Sequence, residues 1–133
     1  YAAEVVDVVV KDNIPTVERV VAVVDCGIVV NKDAAINMAE GAIIDGIGNA
    51  LYGELTFKDG VPQKNNFNSY KLIRMNEVPK DIEVHFVENE NDPTGMGEPP
   101  FPPVFAAVAN ALFKATGRRF YNQPFINEFA KKS

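Results

Sequence analysis

A single cysteine, Cys26, excludes an internal disulfide, a four-cysteine zinc site and an iron–sulfur cluster built from this chain alone. Histidine is equally scarce. The one present, His85, falls with Glu83 on the polar side of the alternating segment Ile82 to Val87, the pattern of a solvated strand residue rather than a metal ligand. Basic residues are few as well: 13 Lys and Arg against 18 Asp and Glu give a formal charge of -5. The Lys/Arg surface that would neutralise phosphates is missing, which argues against nucleic acid as a partner. No stretch is long and apolar enough to span a bilayer, since the Ile/Ala-rich segment from Asn31 to Leu51 is broken by Glu40, Gly41, Asp45, Gly46 and Gly48. An initiating methionine is also absent. Tyr1 leads directly into the strand-like run Ala3 to Val10, as expected of a segment of a longer polypeptide whose targeting signal, cytoplasmic or periplasmic in address, lies upstream.

The 133 residues, 47% of them hydrophobic, suffice for one domain with a buried core, and the nine glycines and nine prolines read as loop residues. Glu4 to Val10 and Val17 to Cys26 are rich in valine and flank the turn residues Asp12, Asn13 and Pro15, which predicts two paired antiparallel strands. Asn31 can cap a helix running to Leu51, with Ile36, Ile43, Ile47 and Leu51 near helical spacing. Glu54 to Lys58, the Asp59-Gly60 pair and Val61 to Gln63 predict a short hairpin, and Ile82 to Val87 a further strand. Strand, strand, helix, hairpin, strand, helix is the order of an α+β domain: an antiparallel or mixed sheet with two main helices packed on one face.

The segment Asp92 to Phe120 carries the most chemistry. Gly95 and Gly97 permit close backbone approach, Pro99 holds Glu98 extended, and Pro100, Pro102 and Pro103 stiffen the chain beyond it. From Pro103 the run Val104, Phe105, Ala107, Val108, Ala111, Leu112 keeps helical spacing, with Gly117 as terminator and Lys114, Arg118 and Arg119 at the carbonyl end. One carboxylate, Glu98, is thus presented at the opening of an apolar helix. Its plain reading is an acid favoured there by the macrodipole, and its sharp reading is a catalytic group.

Other features have structural readings of comparable weight. Gly41, Asp45 and Gly48 share one side of the first helix, which allows close approach of a backbone or of a ligand. Cys26 ends an apolar strand and reads as a small buried hydrophobe. Asp25 and Asn31 read as shaping the strand-to-helix loop. The run Glu88-Asn89-Glu90-Asn91-Asp92 lacks the regular ligand spacing of an EF-hand and reads as a solvated loop.

The sequence Gly95-Met96-Gly97-Glu98-Pro99-Pro100, followed by Pro102-Pro103 and an Ala-rich helix, resembles the C-terminal segment of the molybdenum hydroxylases, the xanthine dehydrogenase and aldehyde oxidase family. Its form is nearest to the beta subunit of isoquinoline 1-oxidoreductase and aldehyde-oxidising relatives. Val24-Asp25-Cys26-Gly27-Ile28-Val29-Val30-Asn31 is similar to that family's strand entering a glycine-rich helix, and Glu40 to Leu51 looks like that helix. Asn66-Phe67-Asn68-Ser69-Tyr70 and Asn76-Glu77-Val78-Pro79 fit the family's loops, so the resemblance covers about Val20 to Phe125. It implies that Glu98 is the active-site general base, taking the proton of the hydroxyl that attacks an electron-poor carbon. It also implies that Gly95, Met96 and Gly97 lie at the cofactor and that Gly41 belongs to the pterin pocket, with no metal ligand from this chain. Two positions depart from the family pattern. Met38 stands where relatives commonly carry a cofactor-facing glutamine, and Lys32 where a proline often follows Asn31; a thioether cannot donate a hydrogen bond.

The resemblance further implies a molybdopterin cytosine dinucleotide in the full enzyme and 2Fe-2S clusters on a partner subunit or domain. The remaining partners would be the rest of the molybdopterin-binding subunit and a small-molecule substrate, either an aldehyde or an N-heteroaromatic ring. On this reading residues 1–133 form a single domain, the C-terminal segment of the larger subunit, and supply Glu98 and one wall of the pocket. The isolated chain is then expected to be inactive. Two other classes stand beside it: a scaffold or interaction domain that keeps the fold without a competent pocket, favoured by Met38, and a small-ligand module using the loop from Asn65 to Tyr70.

Overall fold

Alternation and turn chemistry build the sheet. In a computed structural model that describes residues 1–130, strand β1 (Ala2–Lys11) pairs antiparallel with β2 (Ile14–Val24). Asp12 and Asn13, both at positive φ (52° and 61°), form the two-residue turn between them. Such turns match the right-handed twist of the flanking strands, and Asp and Asn tolerate the backbone angles they need. Helix α1 (Lys32–Tyr52) comes next, then a separate two-stranded hairpin of β3 (Phe57–Lys58) and β4 (Val61–Pro62) around Asp59 and Gly60, again both at positive φ. Strand β5 (Asp81–Phe86) pairs in parallel with β2, so the main sheet is mixed with the order β1-β2-β5. A parallel neighbour requires a crossover, and α1 is the helix within it. Helices α2 (Phe101–Thr116) and α3 (Ile126–Ala130) complete the chain.

The core lies between one face of the sheet and the two long helices. Val6, Val17, Val20 and Ala22 from the strands meet Ile43, Ile47 and Leu51 of α1 and Val104, Val108 and Leu112 of α2. Full burial of a side chain the size of Ile43 or Leu112 stabilises the fold by roughly 1.5–3 kcal/mol. The α+β class and the placement of both main helices on one face are as the sequence predicts. Val5, Val9 and Val23 on the opposite face are exposed.

Local signals hold where they are strong. Asn31 is the N-cap of α1, its Oδ1 accepting from the Ala34 N–H at 3.1 Å, and Gly117 ends α2 at φ 72°. Helix α2 begins at Phe101, two residues before the expected Pro103, because Pro102 and Pro103 fit a first turn whose N–H groups have no intrahelical partner in any case. Five-residue α3 was not legible: it is too short to show a period.

Candidate functional site

The site is assembled from two segments that are distant in sequence. Where β2 ends, the chain turns at Gly27 (φ 73°), and a Cβ there would overlap the Asp92 carbonyl and lie 2.8 Å from that of Asn91. Only glycine lets the two backbones come so close. The Ile28 N–H donates to the Asn91 carbonyl (3.0 Å) and the Thr94 N–H to the Cys26 carbonyl (2.9 Å), which ties the loop ahead of Glu98 to the end of the sheet. Asp25 Oδ1 accepts from Asn89 Nδ2 at 2.9 Å. The acidic stretch read as a solvated loop is therefore anchored through its backbone and asparagines, while Cys26 is buried as expected.

Past the anchor, the loop lies over α1. Met38 Cε would be 2.6 Å from a Cβ on Gly97, so Met38 packs directly over that glycine. The Glu98 carbonyl accepts from the Phe101 N–H at 2.8 Å, and Pro100, buried, is the N-cap of α2. The opening turn of α2 crosses α1 at Gly46, where a Cβ would sit 3.0 Å from both the Phe101 carbonyl oxygen and Val104 Cβ. Close approach at Gly46 thus sets the loop's height above α1.

The result is an open cavity of about 450 Å³ lined by Gly41, Ala42, Asp45, Gly97, Glu98 and Phe101. Of the residues named from sequence, Gly41, Gly97 and Glu98 come together in it. Gly95 and Met96 lie outside this lining. Glu98 is exposed, and its carboxylate has no hydrogen-bond partner among the described residues. Asp45 is a second carboxylate in the same wall, its Oδ1 accepting from Asn49 Nδ2 at 3.0 Å. Its only sequence signal is its place one turn after Gly41.

The shared glycine face of α1 divides in two. Gly48 is buried, with a Cβ there meeting Ile73 Cγ2 at 2.9 Å, as close packing predicts. Gly41 differs from that expectation: it is exposed, and a Cβ there would meet nothing within 4 Å. The crossing at Gly46 lies further along α1, so the turn holding Gly41 is left open toward the cavity. Lys32 lines a different cavity, of about 270 Å³, beside Gly27 and Phe86. The loop from Asn65 to Tyr70 closes on itself through Ser69 Oγ, which accepts from the Asn65 and Asn66 N–H groups. The hollow behind Tyr70 measures about 20 Å³, room for about one water. His85 is exposed beside Glu83, and no group of three or more metal-ligating side chains occurs among the described residues. Among those residues, no helix is long and apolar enough to cross a membrane.

Comparison with known proteins places this architecture. Residues 1–79 match the family described as the molybdopterin cofactor-binding domain, and the chain belongs to that family, among the molybdenum-binding subunits of the xanthine dehydrogenase and aldehyde oxidase group. It is 34% identical over 114 residues to the isoquinoline 1-oxidoreductase subunit beta of Brevundimonas diminuta, covering 86% of this chain and 14% of the relative. It is 32% identical over 109 residues to a membrane-bound aldehyde dehydrogenase of Gluconacetobacter polyoxogenes whose name carries pyrroloquinoline quinone, covering 82% of this chain and 14% of that protein. The aldehyde oxidoreductase of Desulfovibrio desulfuricans superposes with a TM-score of 0.73 at 29% identity, over 84% of this chain and 13% of that one. The chain spans about 14% of the length of these curated relatives.

Proposed function

We propose that this chain is the C-terminal portion of a molybdopterin-binding subunit that hydroxylates an aldehyde or N-heteroaromatic substrate with water as the oxygen source, and that Glu98 is its general base. The supporting observation is the convergence of Glu98 and Gly97 with Gly41 on one open cavity. The residues present fit a large cofactor as one wall: at Gly41 no atom of the chain occupies the space a Cβ would enter, so a bound group can approach the α1 backbone closely. Gly41 and Gly97 would flank the cofactor, a molybdopterin cytosine dinucleotide on this reading, with 2Fe-2S clusters on a partner subunit or domain. When bound, the cofactor supplies the two-electron oxidation.

The chain's own part is proton handling and shape. Glu98 is carried on a loop pinned at Gly27 and Cys26 and braced by Pro100, so its carboxylate is held where it can take a proton from the attacking oxygen. A base so positioned typically contributes about 100-fold to 10000-fold. Asp45 faces the same space and would repel an anionic group near it. One exposed wall leaves most of a cofactor's surface uncovered, whereas ligand sites bury most of it; the isolated chain should therefore hold no molybdenum and show no turnover.

The test is Glu98→Gln in the full-length subunit, with molybdenum measured by elemental analysis beside substrate-dependent reduction. A loaded but nearly inactive variant is the expected outcome. Normal reduction by a fully loaded variant removes Glu98 from the mechanism, and a native enzyme that carries quinone in place of molybdenum overturns the cofactor assignment. Met38 over Gly97 favours the scaffold reading, and a native subunit that binds neither cofactor would establish it.

A further inference from the structure

A second carboxylate lies away from the cavity. Glu4 projects from β1 on the same side as the core residue Val6, toward the helices. Both its carboxylate oxygens are buried without a hydrogen-bond partner among the described residues, and burial pushes its pKa up to about 7. It borders a groove of about 580 Å³ walled on one side by Glu4 through Val8 and on the other by α2. Five consecutive residues of a strand can line one groove only along its edge, because alternate side chains leave by opposite faces.

That edge is free. β1 is the outer strand of the order β1-β2-β5. Tyr1 and Asp25 exchange both backbone hydrogen bonds, at 2.7 and 2.8 Å, so antiparallel alternation along the register turns the N–H and C=O groups of Ala2, Glu4 and Val6 away from β2. The edge is ten residues long, rich in valine and free of proline, with its one lysine at the far end. Edge strands of that kind pair readily. The wall opposite carries Ala107, Ala111 and Ala115, small enough to leave room for another main chain.

We infer that an extended segment of polypeptide from outside these 133 residues adds to β1 as a further strand in this groove, setting an arginine or lysine against Glu4. A residue directly opposite Glu4 on an added strand would project to the same face at about 5 Å. Charge decides which residue it is. The groove's titratable groups are Glu4 and Asp7 on β1 and Lys114 on α2, and Lys114 forms no ion pair with Glu4. An inward carboxylate rejects strands that bring an apolar or acidic side chain and accepts one that brings a cation. This inference rests on the reading of the chain as part of a longer subunit, since its relatives are about six times as long.

The experiment is residue-resolved amide exchange on the full-length native gene product, as wild type, Glu4→Arg and Glu4→Gln. The amides of Glu4 and Val6 should exchange at least about 100-fold more slowly than the same sequence in an unstructured peptide. Glu4→Arg should cut that protection at least about tenfold, while Glu4→Gln, which still accepts a hydrogen bond, should retain most of it. Open amides at Glu4 and Val6 in a long, folded wild-type subunit would overturn this inference and leave the catalytic reading intact. Protection indifferent to Glu4→Arg would overturn the charge pairing, and protection lost on dilution would assign the edge to a second copy of the chain. A native product of only 133 residues would instead defeat the longer-subunit reading, a result seen from its mass alone.

Discussion

Glu98 and Glu4 are both carboxylates without a hydrogen-bond partner among the described residues, and in other respects they are opposites. Glu98 stands in a Gly/Pro loop that marks it in the sequence, yet it is exposed at the rim of an open wall. Glu4 sits unmarked among valines, yet its oxygens are shut from water and its pKa is raised to about 7. A local motif can position a group, but the environment that gives it reactivity comes from whatever closes around it. Packing can create such an environment where no motif exists. The same contrast recurs on α1, where Gly41 is open and Gly46 is pressed against α2.

The sharpest way to break the first comparison is Glu98→Gln in the complete enzyme, expected to lower turnover about 100-fold to 10000-fold with fold and molybdenum content retained. A loss of less than tenfold, read by substrate-dependent reduction, would make Glu98 as silent chemically as a surface acid. Next in size is the glycine pair. Gly46→Val should destabilise by about 1–3 kcal/mol through overpacking against Phe101 and Val104. Chemical denaturation reads this directly, and an unchanged midpoint would mean that the helix crossing yields freely.

Glu4→Leu should act in the opposite direction. The folded-state pKa of Glu4 lies above its ordinary value of 4.5, so the folded chain holds the proton more tightly and stability falls as pH rises from about 4.5 through about 7. At pH 8 the substitution should therefore stabilise the 133-residue chain by about 1–2 kcal/mol, after discounting the part of the side chain that water still screens. Near pH 4 that advantage should vanish. Urea midpoints at the two pH values check it, and a pH-independent difference would show that the carboxylate carries no desolvation cost. The smallest effect belongs to Gly41→Ala, which should raise helix stability by about 0.5–1 kcal/mol because nothing lies within reach of the added methyl.

Much of the fold was legible. Asp12-Asn13 and Asp59-Gly60 specify tight turns, valine alternation specifies the strands, Asn31 and Gly117 mark helix ends, and each of these signals acts within a few residues. The place of Glu98 on its loop was legible for the same reason, through the glycines and prolines beside it. Its family also was, although the matched region, residues 1–79, ends before the loop that drew attention to it.

Other outcomes depended on which segments meet. The parallel pairing of β5 with β2, the need for glycine at Gly27 beneath Asn91 and Asp92, and the division of one helical face into a closed half at Gly48 and an open half at Gly41 are contacts between residues far apart in the chain. Glu4 lost its water through packing that no neighbouring residue announces. Sequence alone determined the elements, their caps and turns and the carboxylate on its braced loop, because those arise from backbone sterics and hydrogen bonds over short range. Tertiary structure decided which surfaces stayed open and which charge was buried, because desolvation depends on everything that closes around a group.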